Sequence, residues 1–200
     1  CITIEETYTF NADGSGVMEY VIDMSELKDM LPDEGEGEGE NMEEGEEDDG
    51  AADSLALASI NGIDQIERIN DEENFRFGWK FHFADLTALN QALNQVLESE
   101  TGGEEHTFIT REGKSWTRHA GPKGMDLSEL LGEMGDESAE GMDMGSMLSG
   151  MNYKQTFNFA QTVQTVYAQD EVEMASKQVV LSTDLKPLAE NSAVLGSTFV

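Results

Sequence analysis

Apolar and polar residues alternate from the start of the chain. In residues 2–10, ITIEETYTF, Ile2, Ile4, Tyr8 and Phe10 share one face, Thr3, Glu5, Thr7 and Thr9 take the other, and Glu6 is the exception on the apolar side. A period of two predicts a strand. Asn11 to Gly16 supplies turn chemistry, and residues 17–23 return as a second strand, completing a hairpin. Ser25 can cap a short helix through Leu31, ended by Pro32, and Asp53 can cap another over 54–61. In residues 63–70, Ile63, Ile66 and Ile69 recur every three positions, a helical spacing. The Gly62 before them and the strand after them favour a short strand.

The strongest signal lies at residues 74–83, NFRFGWKFHF. Phe75, Phe77, Trp79, Phe81 and Phe83 alternate with Arg76, Gly78, Lys80 and His82. Five aromatics on one face of one strand require a large apolar partner. Asp85 then caps a helix across 86–98, whose Leu86, Leu89, Leu93, Val96 and Leu97 form one stripe that fits the aromatic face. A second hairpin runs through 105–111 and 114–119 around Glu112-Gly113. Residues 151–159 alternate again, with Met151, Tyr153, Gln155, Phe157 and Phe159 together. Strands over 161–167 and 171–182 follow, then a helix or loop from Leu185 to Leu195 and a strand start in the final STFV. The order predicts an α+β fold: a curved, mostly antiparallel sheet of hairpins with helices packed on one face.

Charge changes this picture in one place. The chain has 42 acidic and 11 basic residues, a net charge of −31. Residues 33–50 hold eleven of the acids and no base, so they cannot bury enough apolar surface to fold. They read as a disordered, solvated insertion in a single domain spanning 1–200, with a weak cation sponge as the functional alternative. Setting them aside leaves −20 on the rest, so acidity is also global. That excludes nucleic acid and docking on anionic lipid through a basic patch. No EF-hand spacing is present, and Asp13-Gly14-Ser15-Gly16 reads as a turn. Residues 121–150, rich in Gly and Met, read as a second, flexible insertion with helical pieces such as 126–134.

Candidate chemistry is sparse. Met142, Met144, Met147 and Met151 are soft ligands in a copper-like spacing, but no His or Cys is interleaved, and methionine packing is the simpler reading. His82, His106 and His119 show no zinc spacing and read as surface residues of strands or turns. No GxSxG is present, so an enzyme is not expected, and neither is a cofactor. Cys1 is the lone cysteine. Either the chain is a fragment, or it is a mature bacterial lipoprotein whose Cys1 carries the lipid that reaches the membrane. Cys1→Ala in the full precursor then abolishes membrane partition; unchanged partition would refute the anchor. The aromatic residues Phe75, Phe77, Trp79, Phe81, Phe83, Phe157 and Phe159 either fill a core or line a cavity for a lipid or other hydrophobic ligand.

The segments TYTFNADGSGVMEYVIDMS, WKFHFADLTALNQAL and YKQTFNFAQTV, in this order after Cys1, resemble envelope lipoproteins of Bacteroidetes-type bacteria. More distantly they are similar to mycobacterial LppM-like lipoproteins. The resemblance covers most of the folded part and implies an α+β lipid-binding domain of the bacterial cell envelope with no catalytic residue. The runs 33–50 and 121–150 depart from it as insertions, and Phe159-Ala160 stands where that family carries Phe-Pro. The expected protein is therefore a lipid-anchored, non-enzymatic envelope lipoprotein whose partner is a hydrophobic ligand. The alternative is a structural protein meeting another envelope protein at a sheet edge.

Overall fold

Two β-strands, β1 (Thr3–Phe10) and β2 (Gly16–Asp23), form the first hairpin, closed by Asp13, which accepts from the Ser15 N–H at 3.0 Å. The structure is a computed structural model and describes residues 2–28, 49–97, 103–121, 151–169, 171–184 and 196–200. Cys1, most of the acidic run, residues 122–150 with Met142, Met144 and Met147, and residues 185–195 lie outside the described residues. The helix α1 covers Ser25–Lys28. The next helix, α2, runs over Asp49–Ala58, so it starts before Asp53 rather than being capped there. Ala51 and Ala52 favour helix and extend it back into the end of the acidic run.

A hairpin of β3 (Ile63–Asp71) and β4 (Arg76–Phe83) follows. The three-residue spacing of Ile63 and Ile66 has a structural cause. One extra residue sits in β3 between Asp64 and Glu67, where Gln65 adopts φ 50°. Such a bulge returns Ile66 to the face of Ile63. Phe75 stands in the turn at φ 51°, outside the strand, and its carbonyl accepts from Met24 N–H at 2.9 Å. The aromatic face of β4 thus begins at Phe77. The helix α3 (Leu86–Val96) starts at Asp85, whose carboxylate accepts from Ala88 N–H at 2.8 Å. Its Ala88, Leu89, Ala92 and Leu93 are buried in one core with Phe81 and Phe83.

The remaining strands are β5 (Ile109–Glu112), β6 (Ser115–Arg118), β7 (Asn152–Asn158), β8 (Val166–Ala168), β9 (Glu171–Ala175), β10 (Gln178–Asp184) and β11 (Ser197–Phe199). The single strand expected over 171–182 is instead a hairpin, β9 and β10. The fold is α+β, but it has two sheets rather than one. The larger has the order β3-β4-β2-β1-β7-β10-β9, antiparallel except for the β1–β7 pair. The smaller is β5-β6-β11-β8. Its strands come from three distant parts of the chain, so local periodicity could not assemble it.

Register aligns side chains in rows across the inner face of the large sheet. One row reads Phe81, Met18, Tyr8, Phe157, Val179. The next reads Trp79, Tyr20, Glu6, Gln155, Leu181. The small sheet packs over them: Trp116 lies 4.4 Å from Phe10 and Phe199 lies 4.5 Å from Phe157, ring centre to ring centre.

Gly78, on the other face of β4, permits the close approach of β2. A Cβ there would meet the Tyr20 carbonyl oxygen at 1.9 Å. Backbone cannot yield as a side-chain tip does, so Gly78→Ala must widen the strand pair. We expect a loss of about 1–3 kcal/mol, read from the urea midpoint; an unchanged midpoint contradicts this packing.

Candidate functional site

The cleft that opens at one end of the two sheets has a volume of about 180 Å³. Phe10, Trp116, Phe159 and Phe199 form its aromatic floor. Phe10 and Phe199 end β1 and β11, Phe159 follows the end of β7, and Trp116 lies in β6 opposite Phe199. Phe10 lies 5.6 Å from Phe159, and Phe159 lies 5.2 Å from Phe199. The wall is loop: Asn11 and Ala12 from the first hairpin, Arg111 and Lys114 from the β5–β6 hairpin, and residues 160–164 after β7. Arg111 ties two of these loops together. Its guanidinium lies 4.7 Å from the centre of the Trp116 ring and donates to the Ala12 carbonyl at 3.3 Å. The loop 160–164 is held by backbone bonds, Val163 N–H to Ser176 O and Gln164 N–H to Val200 O.

Of the seven aromatics expected to line a cavity, only Phe159 reaches this cleft. Phe157 packs directly behind it, buried between the sheets. Phe81 and Phe83 are fully buried under α3. Phe77 and Trp79 are half-buried further along β4, and Phe75 stands in its turn. The structure does not bring the seven together. Phe10, Trp116 and Phe199 come from segments with no shared periodicity, and no signal in the sequence joined them.

Below the cleft floor lies a buried polar centre. Glu6, wholly buried, points inward from β1. Its carboxylate accepts from Arg118 at 2.9 Å, Tyr8 at 2.7 Å, Gln155 at 3.2 Å and from the Tyr153 hydroxyl. Arg118 comes from β6, lies over the Phe108 ring at 4.9 Å and donates to the His119 carbonyl. Burial pushes the Glu6 carboxyl up, but the Arg118 charge and the hydrogen bonds from Arg118, Tyr153 and Tyr8 outweigh it and hold it below its ordinary value. This pair pins one sheet to the other. The signal was visible as the one acid on the apolar face of β1; its partner, 112 residues away, was not.

Two helix asparagines were also missed. Asn90 and Asn94, one turn apart on α3, hydrogen-bond the extended backbone of residues 106–109 as a neighbouring strand would. Asn90 accepts from Phe108 N–H at 2.7 Å and Ile109 N–H at 2.8 Å, and donates to Ile109 O at 2.8 Å. Asn94 accepts from His106 N–H at 2.7 Å and donates to His106 O at 2.6 Å.

The three histidines are half-buried, each partly at the surface. His82 bonds Asp64 at 2.9 Å, and His119 bonds Thr110 at 2.8 Å. His106 packs edge-on against Phe108, and burial lowers its pKa. Met151, the last of the copper-like methionines, is buried at 1% exposure among the inward residues of β7. Among the described residues, no three His, Cys, Asp or Glu side chains converge to hold a metal, and no helix is long and apolar enough to cross a membrane.

No protein-family model matches the chain, and no curated protein matches it. The resemblance to Bacteroidetes-type lipoproteins therefore gains no support. Among solved structures, the folded domain of the LppM protein of Mycobacterium tuberculosis is similar, at 12% identity and a TM-score of 0.45, over 99% of this chain and 87% of that one.

Proposed function

We propose that this domain is a non-enzymatic binding module of the bacterial cell envelope that takes a small hydrophobic ligand into the cleft between its sheets. The observation that carries this reading is the aromatic floor of Phe10, Trp116, Phe159 and Phe199 beneath an open mouth. Convergent apolar surface rimmed by a few polar groups is the usual form of a small-molecule site. The size limits the ligand. An apolar cavity of about 150 Å³ accepts a benzene-sized molecule, whereas drug-sized ligands occupy pockets from about 300 Å³ upward. At about 180 Å³ the cleft suits one ring or a short aliphatic chain, not a two-tailed lipid.

The geometry also bears on a lipid at Cys1. The cleft includes Phe10, at the far end of β1 from Thr3. Eight residues at about 3.3 Å rise separate these ends by roughly 23 Å. A lipid on Cys1 would thus hold the opposite end of the sheet at the membrane and direct the cleft away from it. A ligand arriving from the aqueous side fits that arrangement better than a tail from the anchoring leaflet. The rival reading places a partner protein on the free edge strand β9, where Val172 and Met174 are exposed. Glu171 and Glu173 lie on the same short strand, and edge charges of this kind discourage strand addition.

Trp116 provides the test. In a Trp79→Phe background, titration with benzyl alcohol should change Trp116 fluorescence saturably, and Phe159→Ala should weaken the response at least fivefold. A linear, unsaturable change would remove the cleft as a site.

A further inference from the structure

Charge around the mouth of the cleft is the reverse of charge elsewhere. The chain carries −31 overall, yet the side chains of both charged residues lining the cleft, Arg111 and Lys114, are cationic. Three cations of the large sheet are matched by carboxylates. Arg76 pairs with Asp23 at 3.1 Å and Glu5 at 3.6 Å, Lys154 with Glu5 at 3.8 Å, and Lys80 with Glu19 at 3.9 Å. Among the described residues, no carboxylate lies within ion-pair distance of Arg111 or Lys114. The two acids that adjoin cleft-lining residues in the chain, Glu112 beside Arg111 and Asp13 beside Ala12, are directed elsewhere. Glu112 follows Arg111 in β5, and successive strand residues face opposite sides. Asp13, in the facing turn, is taken up by the Ser15 N–H at 3.0 Å and hydroxyl at 2.7 Å.

A cationic ligand would be the natural guess for an acidic protein with an aromatic floor. The geometry opposes it. Arg111 already covers the Trp116 ring, and an incoming cation would meet two like charges. An anionic group has the opposite fate: its head is attracted by Arg111 and Lys114 while its tail enters the cleft against the edges of Phe10, Phe159 and Phe199. Remote carboxylates act weakly there, since charges more than about 8 Å away are largely screened at physiological salt.

Resting on the cleft-binding reading above, we propose that the ligand is a small organic carboxylate: one ring or short chain on the aromatic floor, with its carboxylate neutralised by Arg111 and Lys114. The polar residues Asn11, Gln161 and Gln164 line the same wall.

Isosteric probes test this. Phenylacetate and phenylacetamide differ in charge and hardly in shape. At 0.15 M salt, calorimetry or Trp116 fluorescence should show phenylacetate binding at least fivefold tighter than the amide, and phenethylamine weaker than the amide. The acetate-to-amide ratio should fall toward one in Lys114→Gln and in Arg111→Gln; Lys114 is exposed and its side chain makes no hydrogen bond or ion pair among the described residues, so at least that variant should fold. Amide binding equal to or tighter than acetate overturns the carboxylate assignment and leaves the cleft reading standing. A ratio preserved in both variants overturns the role of the two cations. Failure of all three probes to bind overturns the cleft reading itself.

Discussion

Glu6→Gln should cost the fold about 3–5 kcal/mol, the usual result of leaving one partner of a buried ion pair alone. Domains of this size have only about 5–15 kcal/mol in total, so the variant sits near the edge of folding. The reason lies in the inter-sheet pin. Arg118 is 1% exposed, and its guanidinium would lose the Glu6 carboxylate that it meets at 2.9 Å in the core. A Glu6→Leu/Arg118→Met double variant should recover much of the loss, because removing both charges removes the desolvation cost of each. Chemical denaturation of the four corners of this cycle measures the coupling. A loss under 1 kcal/mol in Glu6→Gln contradicts the pin.

The same pair predicts a pH dependence with a definite sign. The folded carboxyl of Glu6 is held below its ordinary value of 4.5. Its contribution is then fully present above about pH 4.5 and is lost as the pH falls through the lower, folded value. The stability gap between wild type and Glu6→Gln should therefore be widest near neutrality and narrow in acid. Comparing the two proteins cancels the many surface carboxylates, which titrate in both.

Asn90→Ala should cost about 2–5 kcal/mol. The substitution orphans the N–H groups of Phe108 and Ile109, which are 0% and 3% exposed. Each unsatisfied buried donor costs about 1–3 kcal/mol, and the better helix propensity of alanine returns only about 0.5 kcal/mol. Amide exchange at residues 108 and 109 should accelerate well beyond that of the rest of β5 and β6. Unchanged protection at both amides would show that α3 does not hold this segment.

How much of this was legible depends on the distance over which each element is decided. The α3 helix was readable because its cap, Asp85, and its leucine stripe are local. The first hairpin was readable for the same reason. The strand at 63–70 was readable from its flanks, Gly62 and the strand after it, although a bulge at Gln65 gives Ile63 and Ile66 the spacing of a helix. The long strand expected over 171–182 ignored the turn at Ser176-Lys177, which carries no Gly or Pro. The small sheet and the cleft were out of reach. Residues 10–12, 111–116, 159–164 and 199–200 meet only through strand pairing across nearly the whole chain. Glu6 lay between: its anomaly could be seen in β1, but only the packing of β6 over β1 explains it.

The central claim, that the cleft is a ligand site, is tested most directly by mapping amide and aromatic shifts during titration of the labelled protein with phenylacetate. The account predicts saturable shifts concentrated at Phe10, Asn11, Trp116, Phe159, Gln161 and Phe199, with Phe81 and Phe83 unmoved beneath α3. Saturable shifts centred on β4 and α3, or none at all, would contradict it.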